Sequence, residues 1–363
     1  MNRISVLATL TALAASGALC AQTPALAQAA APVGAQCIPA TPGVPPAPPP
    51  APGQAPRPPQ AAPAPRDLTI TAIPGVVAGG GAWKKVWQQG GNSADGTLPD
   101  KDGGVLVAQE DYDAVLHIAP DGSTSVAVAG AKGLGSMSMD RQGRLYGAHR
   151  TERPGSTKPD IASIVNAITE LAPNRHTIAD KWTDGSVLTV RPNDLAADGT
   201  GGAFFTQGCL YYAGPKGASV VADNLRTNGI IFSTDDKTLY VTNGPGIVAF
   251  DVTGPGTVAN RRDFAALQGP GDGLAIDDQG RLYVTTPAGV QVLDKSGKSL
   301  GVIPTPRAVI AISFSGPDKK TLYVVGGGAD DADGKPIRMG PQQTAATVYS
   351  LPVLARGIQG RGK

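Results

Sequence analysis

The chain has 363 residues, with 31 Lys and Arg against 29 Asp and Glu, a formal net charge of +2 and 41% hydrophobic residues. That near-neutral balance, without a dense Lys/Arg face, argues against nucleic-acid or anionic-membrane binding. Three His and three Cys, with no His-Glu-x-x-His and no Cys-x-x-Cys, argue against a zinc site built on those residues.

Met1-Asn2-Arg3 leads into an apolar run from Ile4 to Ala21 and then Ala25-Leu26-Ala27, a small-x-small cleavage pattern. Residues 1–27 are therefore expected to be a secretory signal peptide rather than a membrane span. Cys20 raises the rival of a lipid anchor, but the large Leu19 before it departs from what lipid attachment needs. Residues 28–80 read as an Ala/Pro-rich disordered linker, because a stretch such as PPAPPPAPGQAPRPPQAAPAP cannot bury enough apolar surface to fold and favours extended polyproline. Secretion would place the protein in the periplasm or outside the cell. Cys37 in the linker and Cys209 beyond it could pair there or remain thiols.

From 81 to 356 one unit recurs: an apolar alternating run, a turn rich in Asp and Gly, and a second run around a large side chain. Its copies, in chain order, are Asp95–Val107, Gly135–Gly147, Asn193–Thr206, Asn228–Val241, Asp272–Val284 and Ile312–Val324. Their second runs centre on Leu106, Tyr146, Phe204, Tyr240, Tyr283 and Tyr323, at intervals of 40, 58, 36, 43 and 40 residues. Each copy is followed by a further strand-like run. This period and grammar predict an all-β fold, a six-bladed β-propeller of four-stranded blades over 81–356. The long second interval implies an insertion, and Arg150–Asn166 has the charge and Pro/Gly content of a surface loop. An open ring would leave exposed edges, so Ala82–Gln89 is expected to add an outer strand beside the last blade. Residues 357–363 read as a short, solvated basic tail, and the protein as a monomer.

The position that opens each innermost strand holds Asp95, Gly135, Asn193, Asn228, Asp272 and Ala311. In a propeller these positions face the central channel from one mouth, so four oxygen-bearing side chains converge there. Asp and Asn also favour strand-entry turns for purely local reasons. Carboxylates and amides suit a hard divalent cation, which can polarise an ester and acidify bound water. No phosphate-cradling Gly-x-x-x-x-Gly-Lys-Ser/Thr loop is present. Asp330–Gly334 lacks the ligand spacing of a calcium loop and reads as an exposed loop.

Three segments resemble the senescence-marker-protein (regucalcin)/gluconolactonase family, chiefly its gluconolactonase branch: HTIADKWTDGSVLTVRPNDLAADGTGGAFFTQG, TNGIIFSTDDKTLYVTN and GDGLAIDDQGRLYVTTPAGVQVLDKSGKSLGVIPTP. The likeness spans nearly all of 85–325. It implies one divalent cation in the channel, calcium before magnesium, manganese or zinc. Asn228 and Asp272 then match metal ligands, and Asp272 the general base. Asn193 matches a ligand or substrate contact, Arg191 a substrate-contacting arginine, and His149 a channel histidine. Asp95 would complete the metal set, although the family carries a longer Glu there. Gln207 stands where the family has Asp, and Gly271 where it has Pro. The resulting expectation is a metal-dependent hydrolase opening a sugar lactone or related cyclic ester. The alternative is a non-catalytic propeller that binds a ligand or partner on one face.

Overall fold

Residues alternating between apolar and polar along short runs, with Gly and Asp between the runs, can bury one strand face only by pairing with the next run. The computed structural model, which describes residues 37, 60–61, 64–91, 93–112, 114–150, 166–339 and 345–363, resolves these runs into six antiparallel sheets and no helix among them. Blade 1 comprises Ala94–Pro99, Val105–Gln109, Ala114–Ile118 and Thr124–Ala129, from inside outward. Blade 2 comprises Leu134–Met139, Leu145–His149, Ala167–Ala172 and His176–Ala179. Blades 4 and 5 repeat the pattern from Ile230–Phe232 and Leu274–Ile276. In blade 3 one twelve-residue strand, Ala203–Gly214, takes the place of the middle pair. Its first half pairs with Leu195–Ala197 and its second with Gly217–Thr227. The change falls at Gly208, whose φ of 73° lies in the left-handed region that glycine enters without strain.

Blade 6 takes Val309–Ser315, Thr321–Gly327 and Ala345–Pro352 from the end of the ring and Lys84–Gly90 from its beginning. The expected outer strand therefore exists and latches the circle. The six innermost strands touch in cyclic order, blade 6 meeting both blade 5 and blade 1. A six-bladed propeller is the result.

The turn after the innermost strand explains why Asp, Gln, Gly, Arg, Leu and Tyr recur together. In blade 2, Asp140 accepts hydrogen bonds from the Gln142 and Arg144 amides (3.0 and 2.9 Å), from Arg144 Nε (2.7 Å) and from the Tyr146 hydroxyl (3.2 Å). In blade 5, Asp277 makes the same four bonds to Gln279, Arg281 and Tyr283. Burial, reinforced by the carboxylate, pushes both tyrosine hydroxyls far above their usual range. These acids belong to the scaffold.

Two expected boundaries move. The Ala/Pro-rich composition implies an unstructured linker to residue 80, yet Ile70, Ile73, Val76 and Val77 are buried among Tyr283, Val290, Ile303, Phe314, Tyr349 and Leu351. Four apolar side chains within eight residues give this stretch a face to bury against blades 5 and 6. The hairpin is fixed by Ile73–Val77 backbone bonds and by Leu354 and Ala355 amides donating to the Val76 carbonyl. Gln60–Ala61 also pairs with Arg338–Met339. The basic tail is likewise docked, with Ile358 and Arg361 buried. Cys37 and Cys209 form a disulfide. The signal peptide, Cys20, the rest of the linker and 151–165 of the expected insertion lie outside the described residues.

Candidate functional site

Strand pairing sets the positions of the four channel candidates. Asp95 lies in the first strand of blade 1, and Asn193, Asn228 and Asp272 each lie two residues before the inner strands of blades 3, 4 and 5. All four line one cavity of about 20 Å³, together with Ser136, Arg150, Asp194, Ala311 and Lys363. That volume is close to what a single water or ion occupies.

The side chains are ordered by one another. Asn193 Nδ2 donates to Asn228 Oδ1 (2.6 Å), which leaves the Asn228 NH2 to donate to the Asp272 carboxylate. The backbone holds the bases of these residues: the Asn193 amide donates to the Thr206 carbonyl (2.7 Å), the Asn228 amide to Thr242 Oγ1 (2.9 Å) and the Asp272 amide to the Thr285 carbonyl (3.0 Å). Gly229 explains the recurrent glycine after the polar residue, because a Cβ there would come within 2.0 Å of the Asp272 carbonyl oxygen. Only glycine lets adjacent inner strands approach so closely.

Asp272 has the most perturbed acidity in the site. Burial raises its pKa well above the usual carboxylate range, and the negative charges of Asp95 and Asp194 push the same way. The Arg150 guanidinium and the Asn228 hydrogen bond oppose the rise. A carboxyl so placed can take up a proton at a pH where exposed aspartates cannot.

Arg150 and Asp194 are central, and neither stands out from the repeat. Arg150, expected to open a surface loop, has a side chain only 3% exposed. It donates to Asp95 Oδ2 (3.0 Å), Glu110 Oε2 (3.3 Å) and the carbonyls of Pro192 (2.9 Å) and Asn193 (2.5 Å). Gly135 is its counterpart, since a Cβ there would lie 2.0 Å from the guanidinium carbon. The apparently blank position of blade 2 is the opening through which this cation enters. Asp194 accepts from the Leu195 amide (2.9 Å), the Ile230 amide (3.1 Å), the Ser136 hydroxyl and the Lys363 ammonium. Its only sequence signal is its place beside Asn193.

The remaining candidates stand apart from the cavity lining. Arg191 pairs with Glu110, and its pKa is lowered by burial against an opposing pull from Asp95. His149 places Nδ1 2.6 Å from the Lys132 carbonyl and Nε2 2.8 Å from Thr169 Oγ1. Gln207 follows the strand residue Thr206, whose hydroxyl bonds the Asn228 carbonyl. Beyond the other end of the first strand of blade 1 lies a second oxygen- and nitrogen-bearing group, Asp100, Asp102 and His117. There His117 Nε2 sits 3.3 and 3.0 Å from the two carboxylates.

The hard-donor chemistry of the channel fits a divalent cation. Two carboxylates and two amides converge on one ion-sized space, and two resident cations, Arg150 and Lys363, already offset part of the negative charge.

The sequence profile of the SMP-30/Gluconolactonase/LRE-like region matches residues 124–327. Among curated relatives, a gluconolactonase of Zymomonas mobilis subsp. mobilis is 30% identical over 113 residues, covering 27% of this chain and 32% of the relative. The lactonohydrolase oryH of Aspergillus oryzae is 29% identical over 154 residues, covering 34% and 33%. The chain thus spans about a third of the length of these relatives. Among solved structures, a gluconolactonase from Xanthomonas campestris superposes with a TM-score of 0.61 at 24% identity, over 81% of this chain and 98% of that one. A calcium-binding regucalcin from Agrobacterium tumefaciens gives 0.56 at 16% identity, over 76% and 95%. At these identities the structural likeness speaks for the propeller fold.

Proposed function

The chain belongs to the SMP-30/Gluconolactonase/LRE-like family, and on that footing we propose that it is a hydrolase that opens a lactone ring with one divalent cation in its channel. The observation that carries this reading is the meeting of Asp95, Asn193, Asn228 and Asp272 on one ion-sized cavity. Gluconolactonase and lactonohydrolase are also the activities in the names of the curated relatives, which suggests a sugar lactone or similar cyclic ester as substrate.

Asp95 and Asp272 would hold the cation through carboxylate oxygens, with Asn193 and Asn228 as neutral donors. Calcium is the first choice because it tolerates a flexible all-oxygen shell. Such an ion supplies a Lewis acid for the ring carbonyl and lowers the pKa of bound water. Asp272, its pKa raised by burial, is the general base that orients the attacking water and accepts its proton. Asn193 turns toward substrate or ion as its bond to Asn228 dictates. Arg191 and His149 are the proposed substrate contacts, and each would exchange a present partner for a substrate hydroxyl.

Purified protein should hydrolyse glucono-δ-lactone, lose that activity on chelation and regain it with calcium. Activity that survives both chelation and Asp272→Ala would sink the mechanism. A second reading, ligand binding without turnover, draws on the Arg150–Asp95 pair, which already occupies one proposed ligand. Stoichiometric metal with no turnover across a broad lactone and ester panel would select it. We further read residues 1–27 as a signal peptide and the protein as secreted or periplasmic, in keeping with the Cys37–Cys209 disulfide. Signal-sequence cleavage in an expressing cell, followed by N-terminal sequencing, tests this.

A further inference from the structure

Residues 356–363 cross the mouth of the channel opposite the candidate ligands. The Arg356 carbonyl accepts from the Asp278 amide (2.8 Å) and the Gly357 amide donates to the Lys319 carbonyl (2.9 Å). Gly357 bridges to Asp277 of blade 5 and Gly362 to Met139 of blade 2. Ile358 is buried among Leu274, Ile276 and Leu282 of blade 5. Lys319 donates to the carbonyls of Ile358 (2.7 Å) and Arg361 (3.1 Å). Arg361, its side chain 3% exposed, pairs with Asp236 and donates to the carbonyls of Phe232 (2.7 Å) and Ser233 (3.0 Å) of blade 4. Burial lowers its pKa to about 10, which marks how thoroughly the ring encloses it. A loose tail makes none of these bonds.

What this strap delivers is Lys363. Its side chain is 8% exposed, lines the same cavity as Asp95, Asn193, Asn228 and Asp272, and seats its ammonium on Asp194 Oδ1. Asp194 in turn accepts from the Leu195 and Ile230 amides at the starts of two inner strands. The charged groups lining the cavity are the carboxylates of Asp95, Asp194 and Asp272 and the cations of Arg150 and Lys363. Glu110 and Arg191 form a further pair just outside.

We propose that Lys363 is a resident counter-cation of the channel, inserted by the 356–363 strap, which holds Asp194 and sets how tightly the neighbouring ligands bind an external divalent ion. Three carboxylates facing two built-in cations leave less negative charge for that ion than the bare acids would. A fixed positive charge within one cavity's width of a divalent ion opposes its binding, and low local dielectric strengthens the effect. The strap therefore acts as an affinity setting. Lys363 is a positioning residue, acting on the ion through charge and through Asp194. The claim about divalent affinity rests on the cation-binding reading above; the claim that Lys363 fills a cation seat does not.

The test uses the full chain and Lys363→Ala, whose strap keeps Ile358 and Arg361 as anchors. Thermal melts in chelator compare n-propylammonium chloride, which replaces the deleted side-chain atoms, with sodium chloride at equal ionic strength. Propylammonium should raise the midpoint of Lys363→Ala selectively and leave wild type unmoved. Calorimetric titration with calcium should show about tenfold tighter binding to Lys363→Ala than to wild type, while Lys363→Arg stays near wild type. No selective rescue by propylammonium overturns the counter-cation, and so does calcium binding that is unchanged or weaker in Lys363→Ala. If wild type, Lys363→Ala and Asp272→Asn all fail to bind calcium, the metal reading falls and the propylammonium comparison alone decides the role of Lys363.

Discussion

Replacing Arg150 by Met tests how far the channel depends on its buried cation. Met preserves most of the side-chain length and removes the charge. The guanidinium donates to two carboxylates and two carbonyls, and the side chains of Arg150, Asp95 and Glu110 are 3%, 22% and 14% exposed. Removing one partner of a buried ion pair typically costs about 3–5 kcal/mol, because the abandoned charges stay desolvated. Exposed pairs, by contrast, are worth roughly 0–1 kcal/mol. For a domain of this size 3–5 kcal/mol corresponds to a melting-point drop on the order of 10 °C. Calcium should return part of that loss in Arg150→Met, since a divalent ion can replace the missing positive charge beside Asp95. Urea melts and calorimetry, each with calcium and with chelator, read both effects. A loss below about 1 kcal/mol, or equal sensitivity of variant and wild type to calcium, would show that Arg150 is a surface residue in practice and refute the reasoning.

Asp272 makes a prediction of opposite sign. Its carboxyl titrates higher in the folded than in the unfolded chain, so its contribution to stability is greatest below the unfolded carboxylate range and is lost as pH climbs through the raised folded value. In chelator, Asp272→Asn should therefore unfold at higher urea than wild type at pH 7 to 8, with the gap closing toward acid, while losing activity; a less stable variant at every pH contradicts this. Asp277→Ala should cost on the order of 3 kcal/mol by stranding Arg281, the Tyr283 hydroxyl and two turn amides around a fully buried site, and calcium affinity measured below its melting point should match wild type. Digestion without reductant should release one linked peptide pair containing Cys37 and Cys209, and mass spectrometry showing both as free thiols would remove that tie.

The ring was legible because its repeat is chemical. Asp140 and Asp277 each tie a turn to the arginine four residues on and the tyrosine six residues on, so the same turn chemistry leaves the same letters in these two copies. Channel positions followed from counting back along those copies. What stayed hidden came from elsewhere in the chain. Arg150 enters over Gly135, and a glycine reports only that something passes close, never what. Lys363 reaches Asp194 from a segment whose composition resembles any solvated tail. The hairpin around Ile70–Val77 follows directly on a Pro-rich stretch, and only the groove between blades 5 and 6 gives its apolar residues a place to go. Both Arg150 and Lys363 are long-range contacts, invisible to any local period.

The central claim is that Asp95, Asn193, Asn228 and Asp272 share one divalent cation. The direct measurement is the anomalous difference map of a crystal grown with calcium. The account predicts a single strong peak in the channel, about 2.3–2.6 Å from oxygens of those side chains. A peak held instead by Asp100, Asp102 and His117, or a channel without one, would contradict it.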